Sequence, residues 1–375
     1  MREQTETGSS DKAKQYQSIK KRLMLLHLFL TPLLLAFWSF SGTTTAVRAL
    51  VSSWCSHPAA EVGLFFTLFS VFFFVIDFPL SFYSGFILEH CFSLSNLSFG
   101  GWLKEMLKRS LLLFAFSLLL IEGLYLLIRF QPQTWWFWSW AGYAGISWVL
   151  GKLFPVFIVP LFYKYLPIPE GELRSRILAL LSRYDLPAAN LFSLNLSKTT
   201  KKANAAFMGL GKTKRVVLSD TLLEQFTPAE IEQVVAHELG HFKHKDIWKQ
   251  LGLGLVISFV CFLAGFYGVE HGVNKLHLKS AADVAGLPLL MLIFMGVHYL
   301  SLPVVNGFSR VCEYAADRFA LDACGDRDVF ISMMDKLGKV NLADPSPAAW
   351  YEWLFYDHPS IQKRISAARA WSPQI

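Results

Sequence analysis

The sequence predicts a mainly α-helical, polytopic membrane protein with about six transmembrane helices and a small β-sheet in a polar insert. Of its 375 residues, 53% are hydrophobic and only 17% are charged, and the mean hydropathy is +0.38. Thirty-three Phe and twelve Trp residues are too many for the core of a soluble chain of this length. Six long apolar runs alternate with polar segments, which is typical of a chain that crosses a bilayer repeatedly.

The six apolar runs cover about 23–41, 61–88, 107–128, 135–162, 248–269 and 284–305. Each is long enough to cross a hydrocarbon core of about 30 Å at a rise of about 1.5 Å per residue. They divide the chain into an N-terminal tail, four spans, a polar insert, two spans and a helical C-terminal region: 1–22, 23–162, 163–247, 248–305 and 306–375. We expect the first ten or so residues of the polar tail to be disordered.

The basic residues predict which side of the membrane each polar segment faces. The insert 163–247 carries twelve Lys and Arg residues, and more of them precede the first apolar run. By the positive-inside rule, the tail, the insert and the region after residue 306 share the cytoplasmic side. The loops near 42–60 and 129–134 carry one Arg each and are expected to face outward.

Composition also argues against a nucleic-acid-binding protein and against a fold held together by disulfide bonds. The net charge of +7 comes from basic residues beside apolar runs, so it indicates membrane orientation and no nucleic-acid binding. The five cysteines are odd in number and lack Cys-x-x-Cys spacing, so we interpret them as free thiols. One carboxylate, Asp77, falls inside the second apolar run, where it faces a cavity or a polar partner, or else lies at a membrane end.

The polar insert predicts a small mixed domain. Residues 172–184 have helical periodicity, and residues 190–197 alternate as in a strand. Residues 204–209 and 215–219 predict a β-hairpin around a turn at 211–214.

A helix with a clear start follows this hairpin. Thr227, Pro228 and Glu230 form a capping-box pattern, with Thr at the N-cap and Pro at the first helical position. Further along, His237 and His241 lie four residues apart. They therefore share one helix face, and both imidazoles can reach the same cation.

Glu238 follows the first histidine directly. It lies about 100° around the helix, where its carboxylate can touch a water on the cation but is poorly placed to ligate it. His-Glu-x-x-His is the pattern of zinc peptidases. The alternative is an amphipathic helix with surface histidines, but the well-defined helix start favours one Zn²⁺ per chain.

Two histidines leave a catalytic zinc short of one protein ligand. His244 is seven residues from His237, about 10 Å along the axis, so one helix cannot bring both to a metal. His271 falls beyond the fifth span and His298 inside the sixth. Glu313 is the better candidate, because two spans separate it from the histidine pair and an even number of crossings returns the chain to the same side.

Glu313 belongs to a polar stripe that directly follows the sixth apolar run. Asn306, Arg310, Glu313 and Asp317 are spaced by four, three and four residues and share one helical face. Asp317 is expected to accept the free ring N–H of a ligand histidine. Arg310 is expected to pair with Asp317 or with substrate. The alternative for the stripe is an exposed, salt-bridged helix face.

These motifs resemble those of the type I CAAX prenyl proteases, integral-membrane zinc metallopeptidases of the gluzincin kind. The resemblance covers most of the chain from about residue 80. It rests on 160–162, 167–173, 204–209, 215–223, the motif at His237, Ser309 and Arg310 with Glu313 and Asp317, and His358 and Pro359 with Arg364. Compared with eukaryotic members, this chain has one fewer N-terminal span and a shorter linker before the metal helix. Both differences favour a prokaryotic member.

The resemblance implies a fold in which spanning helices enclose a large intramembrane chamber. It implies His237, His241 and Glu313 as the metal ligands and Glu238 as the general base.

The same resemblance implies residues that contact substrate. Asn204 and Ala205 match the strand that aligns a peptide beside the metal, although the aromatic residue that follows is displaced by one position, to Phe207. His358 and Arg364 match positions near the reacting carbonyl. From the residues alone, His358 would be interpreted as a helix-capping residue before Pro359.

We therefore expect a zinc metalloendopeptidase that resembles enzymes removing the C-terminal tripeptide of prenylated CAAX proteins. Its expected partners are a prenylated or membrane-embedded peptide or protein substrate and the lipid bilayer, with no nucleic acid; the oligomeric state is open. Its expected location is a bacterial inner membrane, with the catalytic side facing the cytoplasm. The alternatives are a heat-shock-type quality-control metalloprotease and a non-catalytic transporter or receptor with structural zinc.

Overall fold

The computed structural model describes residues 2–184, 191–213 and 215–373. Within these ranges, six helical stretches are long and apolar enough to cross a membrane, which confirms the predicted class of fold. These stretches are Asp11–Phe40, Pro58–Cys91, Phe99–Phe130, Trp135–Phe162, Asp246–Lys275 and Val284–Cys324. Each contains one of the six predicted apolar runs, apart from a residue at the end of the first.

The described part of the N-terminal half consists of helices joined by short connections. Its elements are α1 (Arg2–Phe40), α2 (Thr43–Trp54), α3 (Pro58–Phe82), α4 (Leu88–Cys91), α5 (Phe99–Phe130), α6 (Trp135–Leu153) and α7 (Val159–Phe162). Five-residue π-helical turns join α3 to α4 and α6 to α7. The short α2 lies between the first two spans, so four helical stretches of this half are long enough to span.

Helix α1 begins at Arg2 and continues into the first span, and disorder of the first ten or so residues stays a prediction. Once a helix is nucleated, adding a residue at its end costs little free energy. The polar part of α1 is also anchored by packing. Tyr16 is buried against Phe92, with ring centroids 5.1 Å apart, and its hydroxyl donates to Glu89.

Aromatic side chains fill the space between the spans. Trp38 packs edge-on against Phe69 of α3 at 5.1 Å, within a buried cluster that also includes Trp135 of α6. The carboxylate of Asp77 has polar partners inside this half: it lies 3.4 Å from the His27 ring and accepts a hydrogen bond from a serine one turn later. Of the interpretations open for Asp77, the structure favours the polar partner.

The insert forms a four-stranded sheet covered by helices. Its elements are β1 (Tyr165–Pro167), α8 (Glu172–Ser182), β2 (Leu191–Leu194), β3 (Ala205–Met208), β4 (Arg215–Ser219), α9 (Asp220–Gln225) and α10 (Pro228–Lys243). The strand order is β1-β2-β4-β3, with β2 and β4 parallel and the other pairs antiparallel. Strand β3 is therefore an edge strand.

The secondary structure predicted for the insert is largely confirmed. The hairpin is formed by β3 and β4, where Phe207 pairs with Val216. The strand predicted over 190–197 is shorter, because a 3₁₀ turn begins at Leu196. Asn190 and Lys214, at the margins of these predictions, lie outside the described residues.

The C-terminal half returns the chain to this insert. Its elements are α11 (Asp246–Lys275), α12 (Leu287–Cys324), α13 (Arg327–Val340), α14 (Ala349–Phe355) and α15 (Ile361–Arg369). The predicted sixth span and the predicted polar stripe belong to one continuous helix, α12. Since α12 packs along both α10 and α11, it carries its polar face from the membrane half to the insert.

Candidate active site

The start of α10 sets the position of every side chain that follows on it. The predicted capping box is confirmed: the Thr227 hydroxyl accepts from the Glu230 amide at 3.3 Å, and the Glu230 carboxylate accepts from the Thr227 amide at 2.8 Å. The helix begins at Pro228, so His237 and His241 follow in its second half. Both rings lie on one face, with centroids 4.7 Å apart.

A glycine brings α12 against this face. A Cβ atom placed on Gly240 would lie 2.9 Å from the Cα atom of Ala316, closer than side chains tolerate. Ala316 itself is fully buried. The backbones of α10 and α12 can therefore approach closely at this point, and the approach places Glu313, one turn earlier on α12, beside the two histidines.

The three predicted ligands converge. The Nε2 atoms of His237 and His241 are 3.2 Å apart, and the Glu313 carboxylate oxygens lie 3.4 Å and 3.1 Å from them, respectively. Tetrahedral ligands at about 2.0–2.1 Å from zinc are roughly 3.3 Å apart, so this spacing fits the ion. Among the described residues, these three form a group with metal-ligand spacing. Glu313 Oε2 is also buried with no hydrogen-bond partner, and a cation would satisfy it.

Asp317 lies behind His237, where the sequence analysis expected it. Its Oδ1 atom is 2.9 Å from Nδ1 of His237, which leaves Nε2 of the same ring facing the Glu313 carboxylate. Burial alone would lower the pKa of His237, but the neighbouring carboxylates of Asp317 and Glu313 outweigh it and raise the pKa to about 9. A cation that binds here therefore displaces a proton.

Arg364 lies in the same buried network and not on an open substrate surface. Its Nε atom donates to Asp317 at 2.7 Å, and its terminal nitrogen lies 3.5 Å from Glu313. Only 5% of the residue is exposed. The prediction that it contacts substrate is therefore corrected to a contact with the ligand network, because the buried carboxylates require a cation beside them.

Arg310 does not pair with Asp317, so the first of the two partners expected for it is wrong. Its guanidinium donates instead to the main-chain carbonyls of Glu352 at 3.0 Å, of Tyr356 and of Trp353 at 3.2 Å. These carbonyls lie at the end of α14, where helix geometry leaves carbonyls short of intrahelical partners, although that of Glu352 also accepts from the Tyr356 amide. Arg310 therefore fixes the segment that leads to His358.

His358 is brought to the metal group and is no simple helix cap. Its Nε2 atom lies 3.2 Å from Glu313 Oε1, and its Nδ1 atom lies 2.8 Å from Asp357. Burial would lower the pKa of His358, but the hydrogen bond to Asp357 and the charge of Glu313 together raise it. With 55% of its side chain exposed, this imidazole can meet a bound molecule.

Glu238 and the edge strand face each other across the site. The Phe207 amide, on β3, donates to Glu238 Oε2 at 3.0 Å. Asn204 uses its main-chain N–H and C=O to hold Ser219, while the residue as a whole is exposed. The outer edge of β3, from Ala205 onward, is thus directed at the catalytic helix.

One residue of this network was not predicted from the sequence. Asp246, the first residue of α11, lies 3.0 Å from Nδ1 of His241 and is 2% exposed. Its position five residues after His241 was a usable signal, because a charged residue opening an apolar span needs a partner. The sequence analysis instead tested His244 as a ligand.

Comparisons with known proteins identify the family. The sequence model described as the CAAX prenyl protease N-terminal region, with five membrane helices, matches residues 1–164, and the one for peptidase family M48 matches residues 167–372. The second match covers more than half of the chain. The chain belongs to peptidase family M48.

This M48 peptidase is an integral-membrane metalloprotease, as its relatives indicate. It is 27% identical over 364 residues to the metalloprotease YhfN of Bacillus subtilis, across 95% of this chain and 84% of the relative. CAAX prenyl protease 1 of Saccharomyces cerevisiae is 29% identical over 352 residues, across 88% of this chain and 76% of the relative.

The fold of the M48 peptidase is shared with a solved structure. Ste24p of S. mikatae superposes with a TM-score of 0.86 at 23% identity, over 96% of this chain and 89% of the other. The resemblance to CAAX prenyl proteases, the membrane fold and the metalloprotease class are therefore confirmed.

Proposed function

We propose that this M48 peptidase is a zinc-dependent endopeptidase in which His237, His241 and Glu313 hold one zinc ion per chain. The observation that carries the proposal is that two imidazole nitrogens and both oxygens of one carboxylate, from two helices, meet at 3.1–3.4 Å. The unpartnered, buried Oε2 atom of Glu313 supports it further.

The surrounding side chains suit peptide hydrolysis. Bound zinc supplies a Lewis acid and a water whose pKa is lowered toward neutrality. Glu238 takes a proton from the attacking water and later delivers it to the leaving amine. His358, exposed and with a raised pKa, donates a hydrogen bond to the developing oxyanion.

Strand β3 aligns the substrate in this proposal. It has one neighbouring strand, β4, so its other edge faces no strand and can pair with an extended peptide, although one amide of that edge, that of Phe207, donates to Glu238. Asn204 and Ala205, at the start of the strand, contact the peptide backbone, and Glu238 lies directly beside Phe207 of the same strand. Pairing along this edge therefore places a peptide bond next to the general base.

Prenylated CAAX proteins are the substrate class that we propose for this site. A cavity with a volume of about 320 Å³ lies beside His241. Its lining is largely apolar and includes Phe207, Leu210, Phe242 and Trp248. Such a cavity suits an apolar substituent near the scissile bond. The relatives described as CAAX prenyl protease 1 support the same class.

For the location, we propose the inner membrane of a bacterium with the metal group on the cytoplasmic side. The twelve basic residues of the insert support this orientation.

The test is cleavage of a farnesylated CAAX peptide by the purified protein, with and without a zinc chelator. We expect release of the C-terminal tripeptide, loss of activity with chelator and recovery on adding Zn²⁺. Glu238→Gln should keep the metal and lower kcat at least about 100-fold, since general-base catalysis contributes 10²–10⁴-fold.

Two results would count against the proposal. A structural zinc site would leave the Glu238→Gln variant as active as the wild type. Cleavage of unfolded membrane proteins without any cleavage of the farnesylated peptide would favour the quality-control alternative.

A further inference from the structure

Asp246 makes the same kind of contact to His241 that Asp317 makes to His237. Its Oδ2 atom is 3.0 Å from Nδ1 of His241, and the corresponding Asp317 distance is 2.9 Å. Each imidazole of the metal group therefore has a buried carboxylate on the nitrogen that faces away from Glu313.

The chain makes a sharp turn to place this carboxylate. Lys245, between α10 and α11, has a φ of +58°, a left-handed backbone conformation that residues other than glycine rarely adopt. The turn reverses the chain so that Asp246, at the first position of α11, lies against the last turns of α10. A carboxylate at a helix N-terminus is favoured by the unpaired amide groups there.

Asp246 is in contact with three helices. Its Oδ1 atom accepts from Nζ of Lys249, on α11, at 3.0 Å. The side chain of Cys312, next to Glu313 on α12, lies beside the same carboxylate. His241 on α10 is the third contact. The side chain thus joins both helices that carry metal ligands to the start of a spanning helix.

We propose that Asp246 is a positioning residue for the metal. Its carboxylate accepts the Nδ1 proton of His241, which holds the ring in the tautomer whose Nε2 lone pair is free for a cation. The negative charge also makes that nitrogen a stronger ligand. The inference rests on the proposed zinc site and adds that a residue of the fifth span controls how tightly the ion is held.

The experiment measures zinc affinity by competition with a chromophoric chelator, using the full-length protein in detergent. We expect Asp246→Asn to weaken zinc binding about 10- to 100-fold, since partners of ligand histidines have effects of that size. Lys249→Gln is the matched control. It removes the other ionic partner of Asp246 and should leave the affinity within about twofold of the wild type.

Cobalt substitution gives a readout that a purely structural role would not change. The visible spectrum of bound Co²⁺ reports ligand geometry, so we expect altered bands in Asp246→Asn and unchanged bands in Lys249→Gln. If Asp246→Asn does not fold, the double variant Asp246→Ala/Lys249→Ala is used in its place. The double variant leaves neither charge of the ion pair unpaired, and it also lacks the contact to His241.

The outcomes separate the two proposals. If the wild type binds no zinc, the proposed function itself is wrong. If the wild type binds zinc and the folded Asp246 variants bind it equally well, or if Lys249→Gln loses as much affinity as Asp246→Asn, the positioning role is overturned.

Discussion

Asp317 and Arg364 form a buried ion pair directly behind the first metal-ligand candidate, His237. Arg364 is the cationic partner of two buried carboxylates, because it contacts Glu313 as well. Removing one member of such a pair leaves an uncompensated charge, which costs much more than an exposed ion pair contributes. At this scale, single side chains decide both stability and the electrostatics of the site.

Arg364→Met should therefore destabilise the protein by about 3–5 kcal/mol. The measurement is thermal or denaturant unfolding in detergent, followed by intrinsic tryptophan fluorescence. Arg369→Met, five residues later on the same helix and exposed, is the control and should change stability by less than about 0.5 kcal/mol. Equal effects from the two variants would contradict the assigned role.

Asp317→Asn should weaken zinc binding about 10- to 100-fold, because the amide lacks the charge that favours the Nδ1–H tautomer of His237. The same competition assay measures it. Asp335→Asn, on an exposed face of α13, is a suitable control, since it removes a carboxylate far along the chain from the metal group. Zinc affinity that is unchanged in Asp317→Asn would show that the contact has no influence on the ligand.

At the scale of elements, the approach of α10 to α12 assembles the site. The two helices touch backbone to backbone at Gly240 and Ala316, and no other residue type than glycine fits there without movement. The N-terminal cap of α10 fixes where its histidines point. The geometry of the metal group is thus a consequence of helix packing more than of any loop.

Gly240→Ala should separate the two helices and carry Glu313 away from the histidines. We expect weaker zinc binding and a loss of peptidase activity of at least about tenfold, since small displacements of reacting groups have effects of that order or more. Gly254→Ala on α11, where a Cβ atom would meet nothing within 4 Å, is the matched control and should be neutral. A fully active Gly240→Ala enzyme would contradict the packing argument.

The capping box should make the stability of α10 depend on pH. Burial would raise the pKa of Glu230, but hydrogen bonds from the Thr227 amide, Lys336 and Ser332 outweigh it and hold the pKa below its usual range. A depressed pKa in the folded state contributes stability that is present above the unfolded-state pKa. That stability is lost as the pH falls toward the folded-state value.

Glu230→Gln should therefore lower the stability by about 1–2 kcal/mol at pH 7.5. The difference from the wild type should shrink as the pH falls below about 4.5, the ordinary pKa of a glutamate. Unfolding curves of both proteins across this range measure it, and their difference cancels the titration of other groups. A difference that stayed constant with pH would show that the Glu230 charge is not involved.

On the scale of the whole molecule, the described residues form six helical stretches long and apolar enough to span a membrane, and these hold the peptidase insert. The fifth span, α11, begins at the metal group, with Asp246 as its first residue. The sixth span, α12, carries Glu313 near its end. The site is therefore assembled only when the membrane bundle and the insert fold together.

The proposed orientation can be tested by labelling single cysteines in intact cells, in a background without the five native cysteines. We expect Gln133→Cys, in the exposed turn after α5, to react with a membrane-impermeant maleimide. Lys201→Cys, exposed beside β3, should react only after the cells are opened. The reverse pattern would place the metal group outside the cell.

The sequence alone predicted the spans, the capped helix and the three residues that meet as candidate metal ligands. Hydrophobic run length and i, i+4 spacing are local signals, and local geometry is what they specify. The sequence also predicted that Asp317 lies on the same helix face as Glu313, because the geometry of a single helix decides which of its residues share a face.

Only the tertiary structure decided which partners those residues take. Arg364 lies 47 positions from Asp317, and Phe207 lies 31 positions from Glu238. Arg310 was predicted to serve the metal group but reaches the carbonyls that end α14. Such contacts depend on how helices pack across the bundle, and no spacing along one element encodes which distant group fills a neighbouring position.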